Sequence, residues 1–152
     1  MSQQDQALPP IIKLRVNRAG EWFHEGVKIS HENTWKAFSR NLRIEEGRLI
    51  VRIKREWAEV EAEDAPLIVT AIRFDSNTLK IFLHDERNVM FEPETLFINS
   101  QNVPYCKIDG VPARFSTAAY YQLVEFIHPH PNDENQFVLA LPNGRTHAIS
   151  ME

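Results

Sequence analysis

A single cysteine, Cys106, serves the whole 152-residue chain. That excludes an intramolecular disulfide and any cysteine-cluster metal site. A lone thiol of this kind reads as a small packed hydrophobe rather than a nucleophile. Glycine is also scarce: there are five, none in a GxGxxG or GxxxxGK arrangement, so no phosphate-cradling loop is encoded. No G-x-S-x-G elbow and no Ser, His and Asp set at motif spacing occurs. Long hydrophobic runs are missing too. The longest uncharged apolar stretch, around Ala65 to Ile72, falls far short of the roughly 20 residues that span a bilayer. Basic charge is not concentrated anywhere, and the formal net charge is −4, which argues against a nucleic-acid partner. The opening MSQQDQALPP has neither the positive start nor the apolar core of a secretory signal, so a cytoplasmic location is expected.

What remains is an ordinary globular composition, 43% hydrophobic and 25% charged. Ile11 to Val16 reads as a strand, Asn17-Arg18-Ala19-Gly20 as a turn, and Glu21 to His24 as a short return strand. Ser30 is placed to cap a helix over about Glu32 to Arg43, with Trp35, Phe38 and Leu42 on one face. Leu67 to Phe74 and Leu79 to Leu83 form a hairpin pattern with Ile68, Ile72, Phe74, Leu79, Ile81 and Leu83 on one apolar face. Shorter strands follow at Met90-Phe91, Leu96 to Ile98 and Val103 to Lys107. A second helix is capped by Ser116, lined by Tyr120, Leu123, Val124 and Ile127, and stopped by Pro129. His128 to Gln136 reads as a polar loop, and Asn143-Gly144 as the turn of a last hairpin.

The stretch EVEAEDAPLIV, Glu59 to Val69, gathers four carboxylates. With a reversal at Arg55-Glu56, Val51 would face Val60 and Ile53 would face Ala58 on an apolar side. Arg48 would meet Glu63, Arg52 would meet Glu59, and Lys54 would meet Trp57 on a charged side. Such pairs stabilise a sheet by roughly 0.2–1 kcal/mol each. Glu59, Glu61 and Glu63 are thereby mainly a charged strand face, with Ile50 the one misfit. Asp64 alternates onto the apolar side, either as an Asx-type turn residue before Pro66 or as a carboxylate turned into a cleft.

Strand, turn, Gly26-Val27, capped helix and strand hairpin recur as strand, turn, Gly110-Val111, capped helix and strand hairpin. The expected fold class is α+β: two similar repeats, each a mostly antiparallel sheet with one helix, at 9–86 and 87–152 after a polar tail at 1–8. The string Gly20-x-Trp22-x-His24-x-Gly26-x-x-Ile29, then Phe38-x-x-x-Leu42, Glu63-Asp64-Ala65-Pro66 and Gly110-x-x-Ala113-Arg114 resembles the bacterial family catalogued as domain of unknown function 1285. The likeness runs in order from about Ile11 to Ile149. Leu67 stands where Phe is expected, and His24 where Tyr is usual. The resemblance implies two related α+β repeats, the first similar to part of a DNA-clamp subunit, a groove between them, and a role in ligand sensing or signalling.

Candidate ligand-binding residues are therefore Trp22, Trp57, Glu63, Asp64 and Arg114. Each tryptophan either lines a groove or is partly buried by packing, and Arg114, just before the second helix, either holds an anion or pairs with an acid. No catalytic residue, cofactor or native metal is expected. His128, His130, Asp133 and Glu134 are the nearest approach to a metal cluster, on a loop that would not fix them. Three functions follow in order: a non-catalytic module for a small-molecule ligand, a protein-interaction or homo-oligomerising module, and a hydrolase or lyase using Asp64.

Overall fold

The computed structural model of the chain describes residues 13–151. The described residues fall into two compact units that meet at Asp64 and Ala65. A boundary at 86/87 would cut through the second unit's sheet, because strands from both sides of that point are hydrogen-bonded neighbours in it. The expected strand segment at Ile11-Ile12 and the polar tail lie outside the described residues.

The first unit is a six-stranded sheet with one helix. Its strands are β1 (Lys13–Val16), β2 (Trp22–His24), β3 (Val27–Lys28), β4 (Leu42–Glu45), β5 (Arg48–Ile53) and β6 (Glu56–Ala62), in the order β3-β2-β1-β6-β5-β4. Only β1 and β6 run parallel. Helix α1 (Glu32–Arg40) packs Trp35 and Phe38 against a core of Leu14, Val16, Trp22, Val51, Ala58 and Val60. His31, not Ser30, is the N-cap, because the chain stays extended through His31 before it coils. The helix ends two residues before Leu42, which starts β4 opposite Val51 and still reaches the core. An apolar residue at i+7 serves the same core from a strand as from another helical turn.

The β5–β6 hairpin keeps the predicted faces but not the predicted partners. Val51 and Val60 are both buried on the helix side, yet Val51 sits opposite Ala58, Ile50 opposite Glu59 and Arg52 opposite Trp57. The reversal is at Lys54-Arg55, with Lys54 in the left-handed region at φ 57°. A slip of two residues returns each side chain to its own face, so the alternation allows both registers and the turn chooses between them. Glu46-Gly47 and Asp109-Gly110 instead have positive φ at both central residues, the type I′ form of a two-residue hairpin loop.

The second unit holds a seven-stranded and a three-stranded sheet. The larger contains β7 (Leu67–Asp75), β8 (Thr78–Leu83), β9 (Asn88–Met90), β10 (Phe97–Ile98), β11 (Pro104–Ile108), β12 (Val111–Phe115) and β16 (Ser150–Met151), in the order β16-β10-β11-β12-β7-β8-β9. Leu79, Ile81 and Leu83 are buried in strict alternation, whereas Phe74, at the far end of β7, is exposed. Helix α2 (Thr117–Val124) begins at Ser116, whose hydroxyl accepts from Ala119 N–H at 3.1 Å, as the sequence implied. Where β12 leaves the sheet, Ser116 N–H still bonds Val69 O, and Gln122 Oε1 accepts from Ile72 N–H at 2.8 Å. The helix therefore satisfies a donor that a neighbouring strand no longer covers.

The stretch expected as a polar loop is instead a hairpin: β13 (Ile127–His130) and β14 (Asp133–Ala140), joined by β15 (Thr146–Ala148) in the smaller sheet. Pro129 fits because β13 is an edge strand with an irregularity next to it. The order β-β-α-β-β does recur in the two units. In the first unit all its strands share one sheet, while in the second α2 is followed by a separate sheet.

Candidate functional site

The face of the first sheet turned away from α1 is the place where this chain gathers uncommitted polar groups. Parallel pairing sets Lys13 beside Glu59 and Arg15 beside Glu61, and antiparallel pairing sets Phe23 on the other side of Arg15. Lys13, Arg15 and Glu61 are exposed, and none closes to an ion pair among the described residues. Together with Asn17, Glu25 and Glu63 they surround a depression of about 650 Å³.

A second, smaller depression of about 270 Å³ lies over β4, β5 and β6. Its floor is Ile50, only 2% exposed although it is on the polar side of its strand. Arg52 donates from Nε and Nη2 to the two oxygens of Glu45 at 3.0 and 2.8 Å. That double hydrogen bond holds the Glu45 carboxyl below its usual range and raises the Arg52 guanidinium above its own. Arg48 lies 5.4 Å over the Trp57 ring, a cation–π contact that replaces the expected Lys54–Trp57 pair.

The carboxylates of the Glu63-Asp64 stretch face the β1–β2 turn. Glu63 Oε1 accepts from Arg18 N–H at 2.7 Å, and Asp64 Oδ2 lies 3.8 Å from Arg18 Nε. Within the turn it is Asn17 that forms the Asx bonds, to Ala19 and Glu21 N–H.

Of the residues singled out in the sequence, Glu63 thus lines the larger depression and Trp57 the smaller. Trp22 is a core residue with no exposed surface, 5.8 Å from the Phe38 ring, so it offers nothing to a ligand. Arg114 is half-buried on β12 of the second unit, between Tyr105 and Ile68 on the neighbouring strands. Sequence reasoning missed Arg15, Phe23, Arg48 and Arg55. The available signal was Ile50, the one apolar residue among the outward positions of a charged strand.

His128 and His130 share the outer edge strand β13, and His130 Nδ1 accepts from Asn132 N–H. Among the described residues no three His, Cys, Asp or Glu side chains are grouped to hold a metal. No helix there is long and apolar enough to cross a membrane.

No protein-family model matches the chain, and no curated protein matches it. Two solved structures share its fold. A DUF1285 family protein from Silicibacter pomeroyi is 19% identical, with a TM-score of 0.72 over 94% of this chain and 82% of that one. A DUF1285 family protein from Shewanella baltica is 18% identical, with a TM-score of 0.65 over 76% of this chain and 91% of that one. The chain therefore shares the fold of these two DUF1285 family proteins.

Proposed function

We propose that this chain is a non-catalytic binding module that holds a small zwitterionic ligand in the larger depression of its first sheet. The observation that carries the reading is that Lys13, Arg15 and Glu61, beside Phe23, close to no ion pair among the described residues. A volume of about 650 Å³ lies within the range that encloses small molecules. Cations and carboxylates on adjacent strands match a ligand with an ammonium and a carboxylate group, and Phe23 supplies apolar contact. The catalytic reading through Asp64 has less support, since that carboxylate lies beside Arg18 at the rim of a turn.

Free amino acids and dipeptides test this. At about 10 mM a ligand with a Kd near 0.1 mM stabilises the protein by roughly 2.7 kcal/mol through mass action, a rise in melting temperature of several degrees. Arg15→Gln and Glu61→Gln should each abolish the rise. A panel that leaves the melting temperature unchanged would remove the proposal.

A second reading, self-association, is favoured by Tyr121 and Val124, exposed one turn apart on α2. Light scattering during size exclusion tests it, and a monomer at about 100 μM rules out dimers tighter than that concentration. We also read the recurring β-β-α-β-β order as an internal repeat. Superposing 20–54 on 104–142 tests that relation.

A further inference from the structure

The smaller depression shares no lining residue with the larger one and stands on different observations. Three arginines and two glutamates border it, but their charges are not equivalent. Arg52 and Glu45 neutralise each other through two hydrogen bonds. Arg48 and Arg55 make no hydrogen bond or ion pair among the described residues, so both guanidinium groups keep their donors. The Arg48 guanidinium lies over the Trp57 ring, with Cζ 5.4 Å from its centre. A cation–π contact uses none of the guanidinium N–H groups, which stay available to an acceptor. Below lies the buried Ile50. A volume of about 270 Å³ corresponds to roughly nine water molecules, the size of a single ring with a small substituent.

We propose that the Arg48, Arg55 and Trp57 depression is a binding site for a small planar carboxylate, with the carboxylate on the arginine edges and an apolar body over Ile50. A fork of parallel N–H groups matches two oxygens better than a spherical anion, and the apolar Ile50 floor favours a carboxylate with an apolar body over phosphate. Glu46, exposed at the β4–β5 turn and on the same rim, opposes the ligand and sets an upper limit on its charge.

Benzoate titrated into the ¹⁵N-labelled full-length chain tests this through the three tryptophan indole N–H signals. Trp22 is buried in the core and Trp35 is on α1, so they serve as internal controls. The expected result is a saturable shift of the Trp57 signal alone. Arg48→Gln and Arg48→Lys should both weaken binding by at least about tenfold, the second because it keeps the charge but loses the fork. Glu46→Gln should tighten it. If circular dichroism shows the Arg48 variants unfolded, Arg55→Gln carries the same expectation. The proposal is overturned if Trp57 does not shift up to about 50 mM benzoate, well above a millimolar Kd. It is overturned equally if Arg48→Lys or Arg55→Gln binds like the natural chain, or if inorganic phosphate binds as tightly as benzoate.

Discussion

Replacing Arg87 by alanine should be among the most damaging single changes in the second unit, although Arg87 itself is partly exposed. Asp85 has no exposed surface. The Arg87 guanidinium meets it with Nε at 3.2 and 3.1 Å and Nη2 at 2.9 Å, and Arg87 N–H adds a bond of 3.1 Å. The truncation takes away the cation and leaves the carboxylate where it is. Stranding one member of a buried pair costs about 3–5 kcal/mol. Because the Arg87 side chain is 28% exposed and water replaces part of what it gave, the lower end applies, about 3 kcal/mol. For a chain of this size, that lowers the melting temperature by roughly 6–12 °C. Calorimetry and urea denaturation measure it. Replacing both partners, Asp85→Leu with Arg87→Met, should recover at least half of the loss, since no stranded charge remains. A drop below about 2 °C in the single variant, or a double variant worse than the single, would refute the reasoning.

Acid should weaken the fold through His84. Burial holds its imidazole below the ordinary value, against the opposing pull of Asp85. Between that lowered value and about 6.5 the unfolded chain binds a proton that the folded one refuses, so stability falls as pH drops through this window. His84→Gln, which keeps an acceptor for Ile68 N–H, should flatten the slope of urea midpoint against pH. Cys106 is buried with its thiol pushed up to about 12, so a thiol reagent at pH 8 should react only after denaturation. Gly110 has φ +84° and open space around it, so Gly110→Ala is strained by backbone alone and should cost about 1–2 kcal/mol by chemical denaturation.

The sequence by itself determined the faces of the β5–β6 hairpin, the cap of the second helix and the broad class. Alternation placed Val51 and Val60 inward and Glu59, Glu61 and Glu63 away from the core, because a period of two survives any even slip. Ser116 was legible as a cap because its bond to Ala119 is local. The same local chemistry was present in Glu46-Gly47 and Asp109-Gly110, where adjacent positive φ values make hairpins. Tertiary structure decided the rest. The β5–β6 register depended on which residue took the left-handed turn, and the ionic partner of Arg52 came from β4 instead of β6. His128 to Gln136 became strands because pairing partners beyond the stretch, Phe137 to Leu139, satisfied a backbone that its own polar side chains left undecided. Trp22 and Trp57 look alike in the sequence, yet one fills the core and the other lies beneath the Arg48 guanidinium. Burial is set by what packs on each face of a sheet, and a strand does not carry that information within itself.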